Sequence, residues 1–358
     1  MSHNLIFRAG DKAIQRLRDG GLHSDEISTI AGAAGGPKSL ILTHLDITLF
    51  SHFFAARNAP LFLIGSSIGS WRFAAACRSD PTDALQIFQE EYISQQYSDH
   101  PSPSEISQKS REFRDILLRN GGADEILRHP SFRLGIMSSR CRGLLARERR
   151  SLQMTGVFMT FLLNMFHRHM LGYCTDRVLF NDPRSCPPFS FGRDIPFHRV
   201  DLTHTNIADA LLASGSIPVI MHGVSGIHGA PPGLYRDGGI IDYHMDIPFD
   251  ENGIVLFPHY MERIIPGWFD KRLGWRKPAK KHMENVLLVA PSHAFINTLP
   301  SGKIPDRKDF TTFRGHDDER RLYWRKTLAQ GERLGDEFLE AVTTGELSRR
   351  VKPLAVSP

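Results

Sequence analysis

Residues 60–77 read PLFLIGSSIGSWRFAAAC, and this stretch decides the fold class. Residues 60–64 are a short continuous apolar run, the pattern of a strand buried on both faces. Residues 68–78, IGSWRFAAACR, carry helical spacing. Between them stands Gly65-Ser66-Ser67-Ile68-Gly69, a G-x-S-x-G string. Such a turn lifts its serine out of the sheet, with glycines where side chains would clash. Upstream, residues 26–31 (EISTIA) alternate and run into the glycine loop AGAAGG. Pro37 suits a first helical turn, and residues 39–54 (SLILTHLDITLFSHFF) keep helical apolar spacing. Residues 11–18 read as a helix closed by Gly20-Gly21. Helix, strand, helix, strand, helix is the rhythm of a parallel α/β sheet.

Residues 81–190 break that rhythm. They are charge-rich and helical in pattern, and predict a helical insertion or lid. Strand signals resume at 195–202, 233–258 and 285–290. Residues 317–345 read as amphipathic helix inside a C-terminal extension of about 305–350. No internal repeat or low-complexity tract interrupts the chain. The expected organisation is one α/β domain over 1–358.

Composition bounds the rest. With 358 residues, 41% hydrophobic and 23% charged, the chain is neither disordered nor fibrous. It is long enough to bury a large core without metal or disulfide help. Forty-four Lys and Arg against 39 Asp and Glu give a mild, dispersed +5. That suits an anionic surface or acidic ligand and, with no recognition motif, gives no case for nucleic acid. Cys77, Cys141, Cys174 and Cys186 form no CxxC pair, so a reduced, cytoplasmic chain is expected. The N-terminus lacks an apolar signal core, and no run reaches 18 apolar residues.

Two further stretches carry chemistry. Residues 31–40, AGAAGGPKSL, form a strand-to-helix glycine loop whose N–H groups suit an anion or oxyanion. A phosphate-binding G-x-x-x-x-G-K-S loop starting at Gly32 fails because Pro37 stands where glycine is needed. Asp237-Gly238-Gly239 follows strand-like GLYR, leaving a carboxylate at a strand end, where ligands of open α/β sheets bind. Such a carboxylate is able to take the proton of Ser67. It reads equally well as a turn aspartate.

In order, Ala34-Gly35-Gly36-Pro37-Lys38, Gly65 to Gly69, Ala213-Ser214-Gly215-Ser216-Ile217-Pro218 and Asp237-Gly238-Gly239 resemble the patatin-like phospholipase family. That family's pattern is a GGGxR/K loop, a GxSxG serine, an ASxSxP-type segment and a DGG/A aspartate. The resemblance implies a three-layer α/β/α fold with a mostly parallel central sheet. It also implies a lipid acyl hydrolase of phospholipase A, lysophospholipase or esterase type, acting on a lipid or fatty-acyl ester without a cofactor or metal. Ser67 would be the nucleophile and Asp237 the base of a histidine-free dyad. Gly35, Gly36 and Ile68 would supply the oxyanion hole. Lys38, Gly65, Gly69, Gly238 and Gly239 would support it. Ala34 departs from the first loop glycine.

Other readings stay open beside this one. An α/β-hydrolase triad would draw on His244, His259, His282 or His293, all downstream of Asp237. A lipid-binding or scaffold protein would keep the fold without the chemistry, and a transacylase would use another acceptor. His167, His169 and Cys174 lack a fourth metal ligand. Basic residues 140–150 (RCRGLLARERR) precede apolar residues 154–166 (MTGVFMTFLLNMF). That pairing fits either a peripheral membrane contact or a buried helix with a solvated flank.

Overall fold

The computed structural model describes residues 3–192, 194–250 and 252–356. Its strands are β1 (Leu5–Ala9), β2 (Ile27–Gly32), β3 (Leu61–Ser66), β4 (Phe132–Cys141), β5 (Thr175–Asn181) and β6 (Phe197–Asp201). They continue as β7 (Val224–Ser225), β8 (Leu234–Asp237), β9 (Ile254–Pro258), β10 (Val286–Pro291) and β11 (Lys352–Pro353). The first helices are α1 (Asp11–Gly20), α2 (Thr43–Thr48), α3 (Ile68–Ala76), α4 (Pro81–Ser94), α5 (Pro103–Leu118), α6 (Gly122–Arg128) and α7 (Arg150–Phe166). The later ones are α8 (Ile207–Gly215), α9 (Lys280–Met283), α10 (His293–Thr298), α11 (Asp309–Thr312), α12 (Asp317–Gln330), α13 (Glu332–Thr343) and α14 (Glu346–Arg350).

The strands form one sheet in the order β11-β1-β10-β9-β2-β3-β4-β5-β6, with β8 on β4 and β7 on β8. The middle, β10-β9-β2-β3-β4, is parallel throughout. Helices flank the sheet in a three-layer α/β/α arrangement. The central strands are the continuous apolar runs: IVLFP and VLLVAP are wholly buried, as a strand covered on both faces must be. By contrast LIFRA alternates between buried and half-buried, and β1 lies next to the sheet's end.

The expectation of a mostly helical 81–190 is corrected in part. Helices α4 to α7 are there, but so are β4 and β5. Their sequences, FRLGIMSSRC and TDRVLFN, show no apolar run because their polar groups are satisfied by distant partners. Arg177 makes a two-pronged ion pair with Asp242, at 2.6 and 2.8 Å, and Ser138 Oγ donates to the Arg236 carbonyl at 2.9 Å. Residues 39–54 are likewise not one regular helix. A 3-10 turn (Gly36–Leu42) precedes α2, and a π turn (Leu49–Phe53) follows it. The C-terminal stretch splits into α12 and α13 at Gly331, which lies against the Ile41 carbonyl too closely for a side chain to fit comfortably.

Helix α3, which carries the chain away from Ser67, is tied to α2 by an ion pair. Arg72 Nε and Nη2 donate to Asp46 at 2.7 and 2.6 Å, both groups being buried. Removing one member strands a charge in the core. Arg72→Met should therefore cost about 3–5 kcal/mol in denaturant unfolding, while Asp46→Leu with Arg72→Met should recover most of that loss.

Candidate active site

Strand β4 has two long edges. Strand β5 pairs with one of them, from Gly135 to Cys141. The other is shared: β3 runs parallel to it up to Ser66 opposite Met137, and β8 runs antiparallel to it down to Asp237 opposite Ser138. Two strands thus meet end to end on neighbouring residues of a third. Ser67, the first residue beyond β3, arrives beside Asp237, the last residue of β8.

Ser67 Oγ donates to Asp237 Oδ2 at 2.7 Å, with both residues buried. Ser67 holds φ 54° and ψ −128°, outside the regions an L-residue ordinarily adopts. The flanking glycines are a packing requirement. A Cβ on Gly65 would fall 2.3 Å from the Ser70 nitrogen, and one on Gly69 would fall 2.3 Å from the Gly32 carbonyl. The strained serine is held from outside by residues 213–218. Ser214 Oγ accepts the Ser67 N–H at 3.0 Å and donates to the Met137 carbonyl at 2.6 Å. The Ser216 carbonyl accepts the Asp237 N–H at 2.9 Å. One segment therefore fixes the backbone of both partners.

Gly238 lies so close to the Met137 carbonyl that a Cβ would meet it at 2.3 Å, and the Gly239 N–H donates to Asp237 Oδ1 at 2.7 Å. Both carboxylate oxygens thus have donors. Burial pushes the Asp237 carboxyl above its ordinary range; the Arg307 charge, the Ser67 and Gly239 hydrogen bonds and Lys271 oppose that rise.

The glycine loop faces this pair. Ala34 is held at both ends of its peptide: its N–H donates to the Tyr243 carbonyl at 2.9 Å, and its carbonyl accepts Tyr260 Oη–H at 2.6 Å. Gly35 packs on the Tyr260 ring, where a Cβ would come within 2.6 Å. Gly36, at φ +59°, opens the following 3-10 turn. Ile68 opens α3, so its N–H has no intrahelical carbonyl to bond. Lys38 lines the cavity in front of Ser67, its Nζ 5.2 Å from the Tyr260 ring centroid.

Two cavities converge on Ser67. One, of about 210 Å³, also reaches Asp237, Gly35, Lys38, Lys271 and Arg307. The other, of about 310 Å³, is walled by Trp71, Tyr92, Phe113, Met221 and Phe310. Neither lining includes a histidine. His244 Nε2 lies 2.7 Å from Tyr260 Oη and its Nδ1 accepts the Ile265 N–H at 3.0 Å, so it braces the glycine loop through Tyr260. His259 bonds the Met261 carbonyl, and His282 pairs with Asp246 at 2.8 Å. Sequence reasoning missed Tyr260, Lys271 and Arg307, which belong to no motif and reach the site only through folding.

The buried-helix reading of 154–166 is corrected here as well. In α7 the buried positions are Gln153, Gly156, Thr160 and Asn164, whereas Leu152, Met154, Phe158, Met159, Met165 and Phe166 are exposed. No helix among the described residues is long and apolar enough to cross a membrane.

The fold is an α/β/α sandwich with a buried serine–carboxylate pair at abutting strand ends. The family model of the patatin-like phospholipases matches residues 49–250, more than half of the chain. The chain belongs to that family, whose members are lipid acyl hydrolases. No curated protein matches it. The matched region contains Ser67 and Asp237 but ends before Tyr260, Lys271 and Arg307 and begins after the Gly35–Gly36 loop.

The raised carboxyl has a consequence for stability. The folded chain holds the Asp237 proton more tightly than the unfolded chain, so the ionised side chain costs stability above its raised value. That cost disappears below the unfolded value of about 3.9. Asp237→Asn should melt no lower than the parent at neutral pH, and the difference in Tm should close as pH is lowered towards 4.

Proposed function

We propose that the protein hydrolyses carboxylic esters of lipids through a Ser67–Asp237 dyad and an acyl-enzyme. The observation that carries this reading is the 2.7 Å hydrogen bond from Ser67 Oγ to a buried, base-ready carboxylate at a strained strand-to-helix turn. As Oγ bonds to the ester carbonyl carbon, its proton passes to Asp237 Oδ2. The charge gathering on the carbonyl oxygen is met by N–H groups of Gly35, Gly36 and Ile68. Collapse breaks the carbon–alkoxy bond, and Asp237 returns the proton to the departing alcohol. Water, deprotonated by Asp237, then attacks the acyl-enzyme and frees the fatty acid and Ser67. A carboxyl lifted above its ordinary range is better matched to this exchange at neutral pH than an exposed aspartate. Against a triad stand the absence of histidine from both cavity linings and the two donors already on Asp237.

In this reading the whole chain works as one domain, in the reducing cytoplasm that its four free cysteines suit. The extension of about 305–350 supplies Arg307 and Phe310 to the cavities, and α4 and α5 wall the apolar one. A neutral fluorophosphonate should label Ser67, as read by mass spectrometry of the digest. Ser67→Ala should abolish labelling and ester hydrolysis, and Asp237→Asn should lower kcat by about 10² or more. Label on Ser66, Ser70 or Ser216 instead would overturn the assignment.

The substrate is met at a lipid surface, through the outer face of α7. A helix with Gln, Gly, Thr and Asn buried and Met154, Phe158, Met159, Met165 and Phe166 exposed is the reverse of a solvated surface helix. Phe158 and Phe166 are 60% and 75% exposed, and Trp275 at 67% extends the patch. Exposed Arg147, Arg149 and Arg150 border one end, while Lys277, Lys280 and Lys281 lie beside Trp275. Apolar side chains ringed by cations fit an anionic bilayer interface. The inner face connects to the site: Asn164 Nδ2 donates to Asp270 at 2.7 Å, within the turn Trp268–Arg272 whose Trp268 and Lys271 line the polar cavity. Co-sedimentation with vesicles should require anionic lipid and weaken with salt. Changing Arg147, Arg149 and Arg150 to Glu should remove about 1 kcal/mol of binding per residue or more. The accompanying loss of activity should fall on vesicle lipid far more than on a short soluble ester.

A further inference from the structure

The apolar cavity that begins at Ser67 ends at a wall one residue thick. Tyr97, Pro101, Phe310 and Thr311 line that cavity, whose volume is about 310 Å³. The same four residues line a second space, an open surface groove of about 890 Å³. They stand between the two. The groove beyond them is polar, edged by Ser98, Asp99, Arg314, His316, Asp317 and Glu319. Apolar space on the serine side and polar, solvated space on the other make these residues a partition.

Two rings form its centre. Tyr97 and Phe310 meet edge to face, with centroids 5.4 Å apart and planes at 72°. Tyr97 follows α4, whereas Phe310 lies in α11, and a single side chain of α12 holds both in place. Arg320 is fully buried. Its Nη1 donates to the Ile93 carbonyl at 3.1 Å and its Nη2 to the Gln95 carbonyl, meeting acceptors that the end of α4 leaves without helical partners. Its guanidinium carbon lies 4.6 Å from the ring centroids of both Phe310 and Trp324. Phe310 also meets Trp324 edge to face at 5.2 Å. Trp324 Nε1 donates at 3.0 Å to Asp309, a fully buried carboxylate that accepts the Asp306 N–H at 2.9 Å and pairs with Lys303. On the other side, Tyr97 Oη donates to Gln95 Oε1 at 2.8 Å. One cation thus fixes the two halves of the wall against each other.

The cavity in front of the wall has a finite capacity. A dry apolar cavity of about 150 Å³ holds a benzene ring, about six carbons. On that scale about 310 Å³ holds roughly twelve carbons. Each methylene buried in it raises affinity about fourfold. Carbons beyond the wall have to displace packed rings or stay in water, and a close-packed interior resists the first.

We infer that Tyr97 and Phe310 set the upper limit on acyl-chain length, so that the protein accepts chains of roughly twelve carbons or fewer and stops longer ones at the wall. The limit is built largely by the C-terminal extension: Phe310, Arg320 and Trp324 all lie outside the residues 49–250 that the family model matches. The inference rests on the Ser67 reading only for which end of the chain lies at the serine; the length limit itself is measured by binding.

The first measurement is equilibrium binding of radiolabelled octanoate, decanoate, dodecanoate and hexadecanoate, each below its micelle concentration, to the Ser67→Ala protein. Affinity should rise about fourfold per methylene up to dodecanoate. Hexadecanoate should then bind no more tightly, although unlimited burial of its extra methylenes would bring a gain on the order of 200-fold. Phe310→Ala and Tyr97→Ala open the wall onto the groove, and each should restore about tenfold or more of that gain while still binding decanoate. Where Phe310→Ala no longer binds decanoate, and so has lost the cavity itself, Tyr97→Ala decides. The second measurement is kcat/KM of the active protein for the same acyl series as p-nitrophenyl esters, at a fixed fraction in neutral detergent micelles. It should peak at or before dodecanoyl, and the peak should move towards hexadecanoyl in the two variants. Affinity or kcat/KM still rising at the longest chain in the parent, or a limit unmoved by both substitutions, overturns the wall even where fluorophosphonate labels Ser67. A limit that yields to the substitutions in a protein whose Ser67 resists labelling upholds the wall and removes the dyad instead.

Discussion

Everything at the site hangs on one edge of β4. Two strands share it end to end, β3 from one direction and β8 from the other, and the residues at their facing tips are Ser67 and Asp237. Neighbouring rungs of a hydrogen-bonded ladder are only a few ångströms apart, so the ladder itself sets the distance between hydroxyl and carboxylate. No loop has to find that geometry. The segment 213–218 then closes it from the other side, bonding the backbone of each partner.

That arrangement has an electrostatic cost. A carboxylate at the junction of strands is desolvated, and the fold answers with the Ser67 hydroxyl, the Gly239 N–H and the more distant charges of Arg307 and Lys271. Arg307 and Lys271 thus soften the burial of Asp237.

Helix α7 repeats that logic with hydrophobic surface. Its polar and small residues face the protein because Gln153 and Asn164 find partners there, Gln153 with the Val219 N–H and Asn164 with Asp270, while Thr160 bonds back to the Gly156 carbonyl within the helix. Its methionines, with Phe158 and Phe166, are left outside, while Phe161 packs inward. Such a helix is costly in water unless something apolar covers it.

The sequence by itself determined the sheet's parallel character, the turn that raises Ser67 and the order of four short motifs. Each of these is local: apolar runs, glycines forced by close contact and a proline at a first helical turn act within a few residues of themselves. What it could not show was β4 and β5, whose charges are neutralised by residues such as Asp242 far along the chain. Nor could it tell that α7 is inside out, because periodicity finds an apolar face without saying which face the protein covers. The meeting of Ser67 with Asp237 was legible only as a pattern of motifs; the shared edge of β4 supplies its distance. Arg307, Lys271 and Tyr260 belong to no string at all. They reach the site because α12 anchors one loop through Asp309 and the sheet brings β9's end against the glycine loop, and such contacts exist only when the chain is folded.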